Sequence, residues 1–221
     1  EQGTLIDPGG IEIFPTVVST VNKIIPINSI KNIIVTSADP QSASSLALWK
    51  QVCSDEVNIY VPSLLGNSLA HLDSEVTFSL IPDEGLKLEV SPHHNLILIP
   101  SHHLHAPAAY SVYDENLQIL YSGSIGSAEM QYNSSAELFA SVFRKHKLNL
   151  DSYHKRWFIS SKARKHWLSL VKNLDIETLI PQRGPLLANE NVNNFLEWFG
   201  GVGLEGGTLA ISSALHEDEY L

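Results

Sequence analysis

A layered α/β sandwich, ordered helix, sheet, sheet, helix, is the architecture this sequence predicts. Three observations predict it: a βαβ rhythm over residues 3–61, closely spaced strand signals over 75–121, and a mainly helical remainder from residue 136. Leu5-Ile6 runs into Asp7-Pro8-Gly9-Gly10, an apolar run stopped by proline and two glycines that permit positive φ, so a strand ends there in a turn. Residues 15–25 place Val17, Val18, Val21, Ile24 and Ile25 near helical spacing, and Pro26 closes that helix. Ile33-Ile34-Val35 is β-branched and apolar throughout, as a strand covered on both faces should be. Residues 42–52 suit a helix and 57–61 a further strand. Strands are expected at 76–81, 86–90, 95–99, 110–113 and 117–121, separated by Pro, Gly, Asp and Asn, and one more at 177–180. Two βαβ-like halves thus enclose a meander, although periodicity alone leaves other α/β arrangements open. No internal repeat is present, and residues 200–207 form the one loose glycine cluster.

With 221 residues, 43% of them hydrophobic, the chain can bury a substantial core, and one domain over 1–221 is expected. Its formal charge of -10, from 24 acidic against 14 basic side chains, offers no basic footprint, so nucleic acid is not an expected partner. Cys53 is the single cysteine, which excludes an intramolecular disulfide and a thiolate zinc cluster and fits a reducing compartment, with the cytoplasm as the expected location. Apolar stretches such as 31–36 and 95–100 are strand-sized, far short of the roughly 20 residues that cross a bilayer, so no membrane association is expected.

Four ordered segments carry a family resemblance: Leu5-Ile-Asp-Pro-Gly9; Val35-Thr-Ser-Ala-Asp-Pro-Gln-Ser42; His103-Leu-His-Ala-Pro107 with Tyr121-Ser-Gly-Ser-Ile-Gly126; and Ile180-Pro-Gln-Arg-Gly184. Together they resemble the metallo-β-lactamase fold, in the branch of flavodiiron and oxygen-binding diiron proteins, over nearly the whole chain. The 18 residues between His105 and Ser124 match that branch's His-to-Asp interval. Residues 153–157 and 167–175 are similar to the helical stretch that follows in the branch. The resemblance implies a four-layer αββα sandwich, with one or two further strands ordinarily preceding residue 5.

It also implies where metal ligands would stand, and there this chain departs from the pattern. The His-x-acid-x-Asp-His run falls on Ser37, Asp39, Gln41 and Ser42; the next His is kept as His105; the bridging Asp is Ser124; the closing His is Arg183. Only Asp39 and His105 of the seven positions keep a ligand type. Two adjacent divalent cations need imidazoles and an anionic bridge, which Ser124 does not supply, and the guanidinium of Arg183 is a permanent cation without a lone pair to donate. Asp39 and Arg183 are expected to face one another and neutralise each other, with Ser37, Gln41 and Ser124 filling the former metal cavity by hydrogen bonds. On this reading the site has no metal and no cofactor, and the chain is a non-catalytic domain with a sensory, regulatory or interaction role, working with a protein partner or a second copy of itself. The branch's electron donor is often a flavin domain, for which this chain has no room, so no flavin is implied.

The alternative is an atypical iron or zinc protein, redox or hydrolytic, with a rearranged site around His105. His102-His103-x-His105, if on a strand, presents 103 and 105 on one face, and Asp39 completes a set of two imidazoles and a carboxylate. A third reading gives the cavity to a small anion anchored by Arg183. Ser122-Gly-Ser-Ile-Gly126 lacks a full nucleophile-elbow pattern, Cys53 reads as a packed thiol, and the basic residues between 145 and 165 read as a solvated helix face.

Overall fold

The computed structural model describes residues 2–69, 77–128 and 137–203. Its first half comprises β1 (Gly3–Ile6), α1 (Phe14–Val21), β2 (Ile30–Ile34), α2 (Pro40–Ala43), α3 (Leu46–Val52), β3 (Asn58–Pro62), α4 (Gly66–Leu69) and β4 (Ser79–Ile81). A meander of β5 (Leu86–Ser91), β6 (His94–Pro100), β7 (Tyr110–Asp114) and β8 (Ile119–Gly123) follows. The chain then forms α5 (Phe143–Trp157), α6 (Ser161–Val171), β9 (Thr178–Pro181), β10 (Leu187–Ala188) and α7 (Glu190–Gly201).

β1 to β4 make a parallel sheet in chain order, as βαβ connections require. The second sheet runs β10-β9-β8-β7-β6-β5, antiparallel except where β9 returns beside β8. Period-two alternation sets the layers. Ile33 and Val35 pack toward α1 and α3 with Leu46 and Trp49, whereas Ile34 points the other way and meets Leu96, Leu98, Tyr110 and Val112 between the sheets. Within β6, Ile97 and Ile99 turn outward to the cluster formed with Trp167 of α6 and Phe195 and Phe199 of α7. The three cores are thus helix on sheet, sheet on sheet and sheet on helix, the four-layer sandwich that was expected.

Element bounds differ from the sequence reading where side chains compete for backbone groups. The helix expected over 42–52 begins earlier, at Pro40, because the Asp39 carboxylate caps its first turn at Gln41 N, 3.0 Å away, and it is broken into α2 and α3 at Ser44-Ser45, where Ser45 Oγ donates to Gly9 O. The strand expected at 117–121 starts at Ile119, since Asp114 Oδ1 accepts from the amides of Asn116 and Leu117 and holds them in a turn, with Gln118 at φ 55°. Residue 76 and the glycines beyond 203 lie outside the described residues.

α5 carries a fully buried imidazole, His154, whose Nδ1–H donates to Leu150 O at 2.8 Å and whose Nε2 accepts from Gly126 N at 3.0 Å. Gly126, at φ 84°, closes the turn after β8 that places Ser124. Burial holds the His154 pKa down to about 4. An unfolded histidine takes up its proton near pH 6.5, so this group stabilises the fold above that pH, and the stabilisation is lost as pH falls toward 4. Denaturant titrations at pH 7 and 4.5 are expected to show a loss of a few kcal/mol, and His154→Gln to flatten that difference.

Candidate functional site

Asp7, just past β1, organises the loop that leaves β2. Its carboxylate accepts from Thr36 N at 2.8 Å, Thr36 Oγ1 at 2.7 Å and Tyr121 Oη at 2.8 Å, tying the first sheet, the 36–42 loop and β8 together. Burial raises the Asp7 carboxyl above the usual range against the pull of those donors, and raises the Tyr121 phenol as well. Sequence reasoning saw Asp7 as part of a motif without assigning it this anchoring role.

The loop and the turns after β8 and β9 bring the seven positions into one region. Arg183 Nε donates to Gln41 Oε1 at 2.8 Å, and its Nη2 lies 3.8 Å from Asp39 Oδ2. The expected Asp39–Arg183 pairing is therefore present, but the shorter contact is to Gln41. Gln182 Nε2 donates to Ser42 Oγ at 2.7 Å, while its Oε1 accepts from Ser124 Oγ at 3.4 Å. Ser42 Oγ in turn lies 3.5 Å from Ser37 Oγ. Gln182 was not singled out in the sequence, yet it connects two of those positions, Ser42 and Ser124; its place beside Arg183 was the available signal.

His105 stands at the inner end of this network, its ring 5.1 Å from Trp157. Tyr153 stacks on the same tryptophan at 5.9 Å, and the Arg183 guanidinium lies 5.8 Å from the Tyr153 ring centre, within cation–π range. Both His105 ring nitrogens are buried without a hydrogen-bond partner. Burial pushes the His105 pKa down; Asp39 pulls it up and Arg183 pushes it further down. Between Ser37, Ser101, His105, Ser124 and Gln182 lies a cavity of about 10 Å³, the space of a single water.

His102 and His94 are engaged elsewhere. His102 Nε2 donates to Asp83 O at 2.9 Å and its Nδ1 accepts from Ala109 N, a tautomer that pins the turn after β6. His94 lies 2.7 Å from Asp114. Residues 101–109 form turns rather than a strand, so the alternation that would align 103 with 105 does not apply. His103 is exposed at φ 60°. Among the described residues no group of three or more His, Cys, Asp or Glu side chains is placed to hold a metal ion. Ser122 Oγ donates to Ile125 O at 2.6 Å, a turn contact, and burial pushes the Cys53 thiol up to about 11, which suits packing and not nucleophilic attack.

Residues 1–184 match the ODP family, described as a beta-lactamase family. Among solved structures, the peroxy diiron species of the chemotaxis sensor ODP is 32% identical with a TM-score of 0.83, over 92% of this chain and 83% of that one. The apo state of the chemotaxis sensor ODP from T. denticola is likewise 32% identical, with a TM-score of 0.85, over 92% and 82%. A metal-soaked flavodiiron core from Synechocystis, 19% identical with a TM-score of 0.76, shares the fold over 90% of this chain and 50% of its own. No curated protein matches. None of the described helices is long and apolar enough to cross a membrane.

These likenesses correct one expectation. The site was expected to hold no metal and no cofactor; a relative 32% identical carries a diiron centre, so iron is the group to which the comparison points. The side chains gathered here do not fit a two-iron group: Ser124, where the resemblance puts the bridging carboxylate, carries no charge, Asp39 is engaged with Gln41 N and Arg183, and a guanidinium lies among them. His105 alone keeps an unpartnered buried nitrogen pair at the site. The fold, the ordered motifs and the match over residues 1–184 agree, and the chain belongs to the ODP family of beta-lactamase-fold proteins.

Proposed function

We propose that this chain is a sensory or regulatory domain of the ODP family that performs no catalytic turnover, and that it reports its state to a protein partner or a second copy of itself. The carrying observation is Arg183, a ligand-position residue turned cation, hydrogen-bonded to Gln41 at 2.8 Å and paired with Asp39 at 3.8 Å. Activating water or reducing oxygen on a metal needs open coordination positions and a bridging anion. Here side chains already bond one another at those positions. The name of the 32% identical relative, a chemotaxis sensor, supports the sensory half of the reading. A free, buried Cys53 and an acidic surface fit a reducing cytoplasm and a partner that is neither nucleic acid nor membrane.

A second reading is favoured by one observation. The unpartnered nitrogens of His105, kept neutral by burial and with the Asp39 carboxylate nearby, would suit a single iron or zinc ion at a rearranged site. Assays separate the two. Protein loaded with ferrous iron or with zinc is expected to consume no oxygen in the presence of a reductant, and to hydrolyse no lactam or thioester, above the rate of the metal salt alone. Sustained turnover that Arg183→Ala alters would overturn the non-catalytic reading and favour the second.

A further inference from the structure

On the outer side of the same network, the end of β1, the turn over 9–13, α2 and the end of β9 enclose a groove of about 860 Å³. We propose that this groove is a binding site for a small organic cation with an apolar, ring-sized body. The volume falls within the range of organic-ligand pockets, roughly 300–1,000 Å³. Its surface is mainly apolar, formed by Ile6, Tyr121, Ile180 and Pro181, with Ile11 and Ile13, each 53% exposed, on the rim.

The charge of the ligand follows from the lining. Among the described residues, the ionisable side chains lining it are the carboxyls of Asp7 and Glu12 and the phenol of Tyr121, with no lysine, arginine or histidine. Asp7 is engaged by Thr36 and Tyr121, which leaves the exposed carboxylate of Glu12 as the group available to a ligand. Arg183, the cation behind Gln41, is turned to Gln41 Oε1 and Asp39. The exposed Glu12 carboxylate repels an anion, whereas an ammonium is drawn to it and finds an aromatic side chain in Tyr121. Gln41 and Gln182 also line the groove, and they are the residues that hold Arg183, Ser42 and Ser124. A ligand there touches the former metal positions from outside. The proposal rests on the groove's own lining and stands whether or not the domain is sensory.

A pair of probes with matched bodies and opposite charge tests it: 2-phenylethylamine and 3-phenylpropionate, each titrated into isotope-labelled protein and followed by amide chemical shifts. The amine is expected to shift Gly9, Gly10 and Gln41 and to bind about tenfold more tightly than the acid. Glu12→Gln, at an exposed position, is expected to fold normally and to cut that preference below about threefold. Ile11→Ser is expected to weaken both probes alike. Equal or tighter binding of the acid, no groove shifts from the amine at millimolar concentration, or an undiminished preference in Glu12→Gln would each overturn the proposal.

Discussion

Asp7→Ala is expected to cost about 4 kcal/mol of stability, enough to consume a large share of a typical domain's total. Three donors lose their acceptor at once: the Thr36 amide, the Thr36 hydroxyl and the Tyr121 phenol, all within 2.8 Å of the carboxylate. A buried donor left unpaired costs about 1–3 kcal/mol, and partial relaxation keeps the sum below the upper bound. Asp7→Asn keeps the shape but turns an amide N–H toward one donor, so about half the loss is expected. Urea denaturation with an unchanged m-value measures both. Because Asp7 also positions the 36–42 loop, faster amide exchange at Thr36 and Ser37 should accompany the loss. A cost below about 1 kcal/mol for Asp7→Ala would remove Asp7 from its anchoring role.

The second large effect is expected from rebuilding the ligand set. The five-fold variant Ser37→His, Gln41→Asp, Ser42→His, Ser124→Asp and Arg183→His joins Asp39 and His105, and is expected to raise iron uptake over the parent chain to about two ions per chain, measured by elemental analysis after anaerobic loading. Order matters within the set. Arg183→His alone removes the guanidinium but leaves no anionic bridge, so little gain is expected from it. Ser124→Asp alone puts a carboxylate near Gln182 and within the field of Arg183, where it should pair with the guanidinium rather than recruit metal. The gain is therefore expected to be strongly non-additive, as for residues that share one centre. Additive gains across the single variants would mean that the seven positions do not converge on one site.

The layers of the fold were legible in the sequence because alternation and helical spacing are local. Ile33-Ile34-Val35 announced a strand buried on both faces, and the structure divides those three side chains between two cores. Ordered motifs with an 18-residue interval pointed to the family that the match over residues 1–184 shows, and the resemblance proposes seven positions whose side chains the fold brings into one region. Which atoms meet there was not legible. Arg183 reaches Gln41 across 142 residues and Gln182 reaches Ser42 across 140, and no local pattern encodes contacts between loops of different layers. The proposed alignment of His103 with His105 fails as a strand argument for the same reason: a turn pinned by His102 to Asp83 O decides their directions.

By itself, then, the sequence determined the sandwich and the family, which depend on residue type, spacing and ordered motifs; the seven ligand positions and the missing bridging carboxylate are what the resemblance implies. Only the tertiary structure decided that Gln41 takes the shorter Arg183 contact, that Gln182 ties Ser42 to Ser124, that His105 keeps both nitrogens unpaired, and that a mainly apolar groove with Glu12 at its edge adjoins them. Those facts depend on how two sheets and their loops come together, and hydrogen-bond geometry is set within a few tenths of an ångström by that packing rather than by the order of residues along the chain.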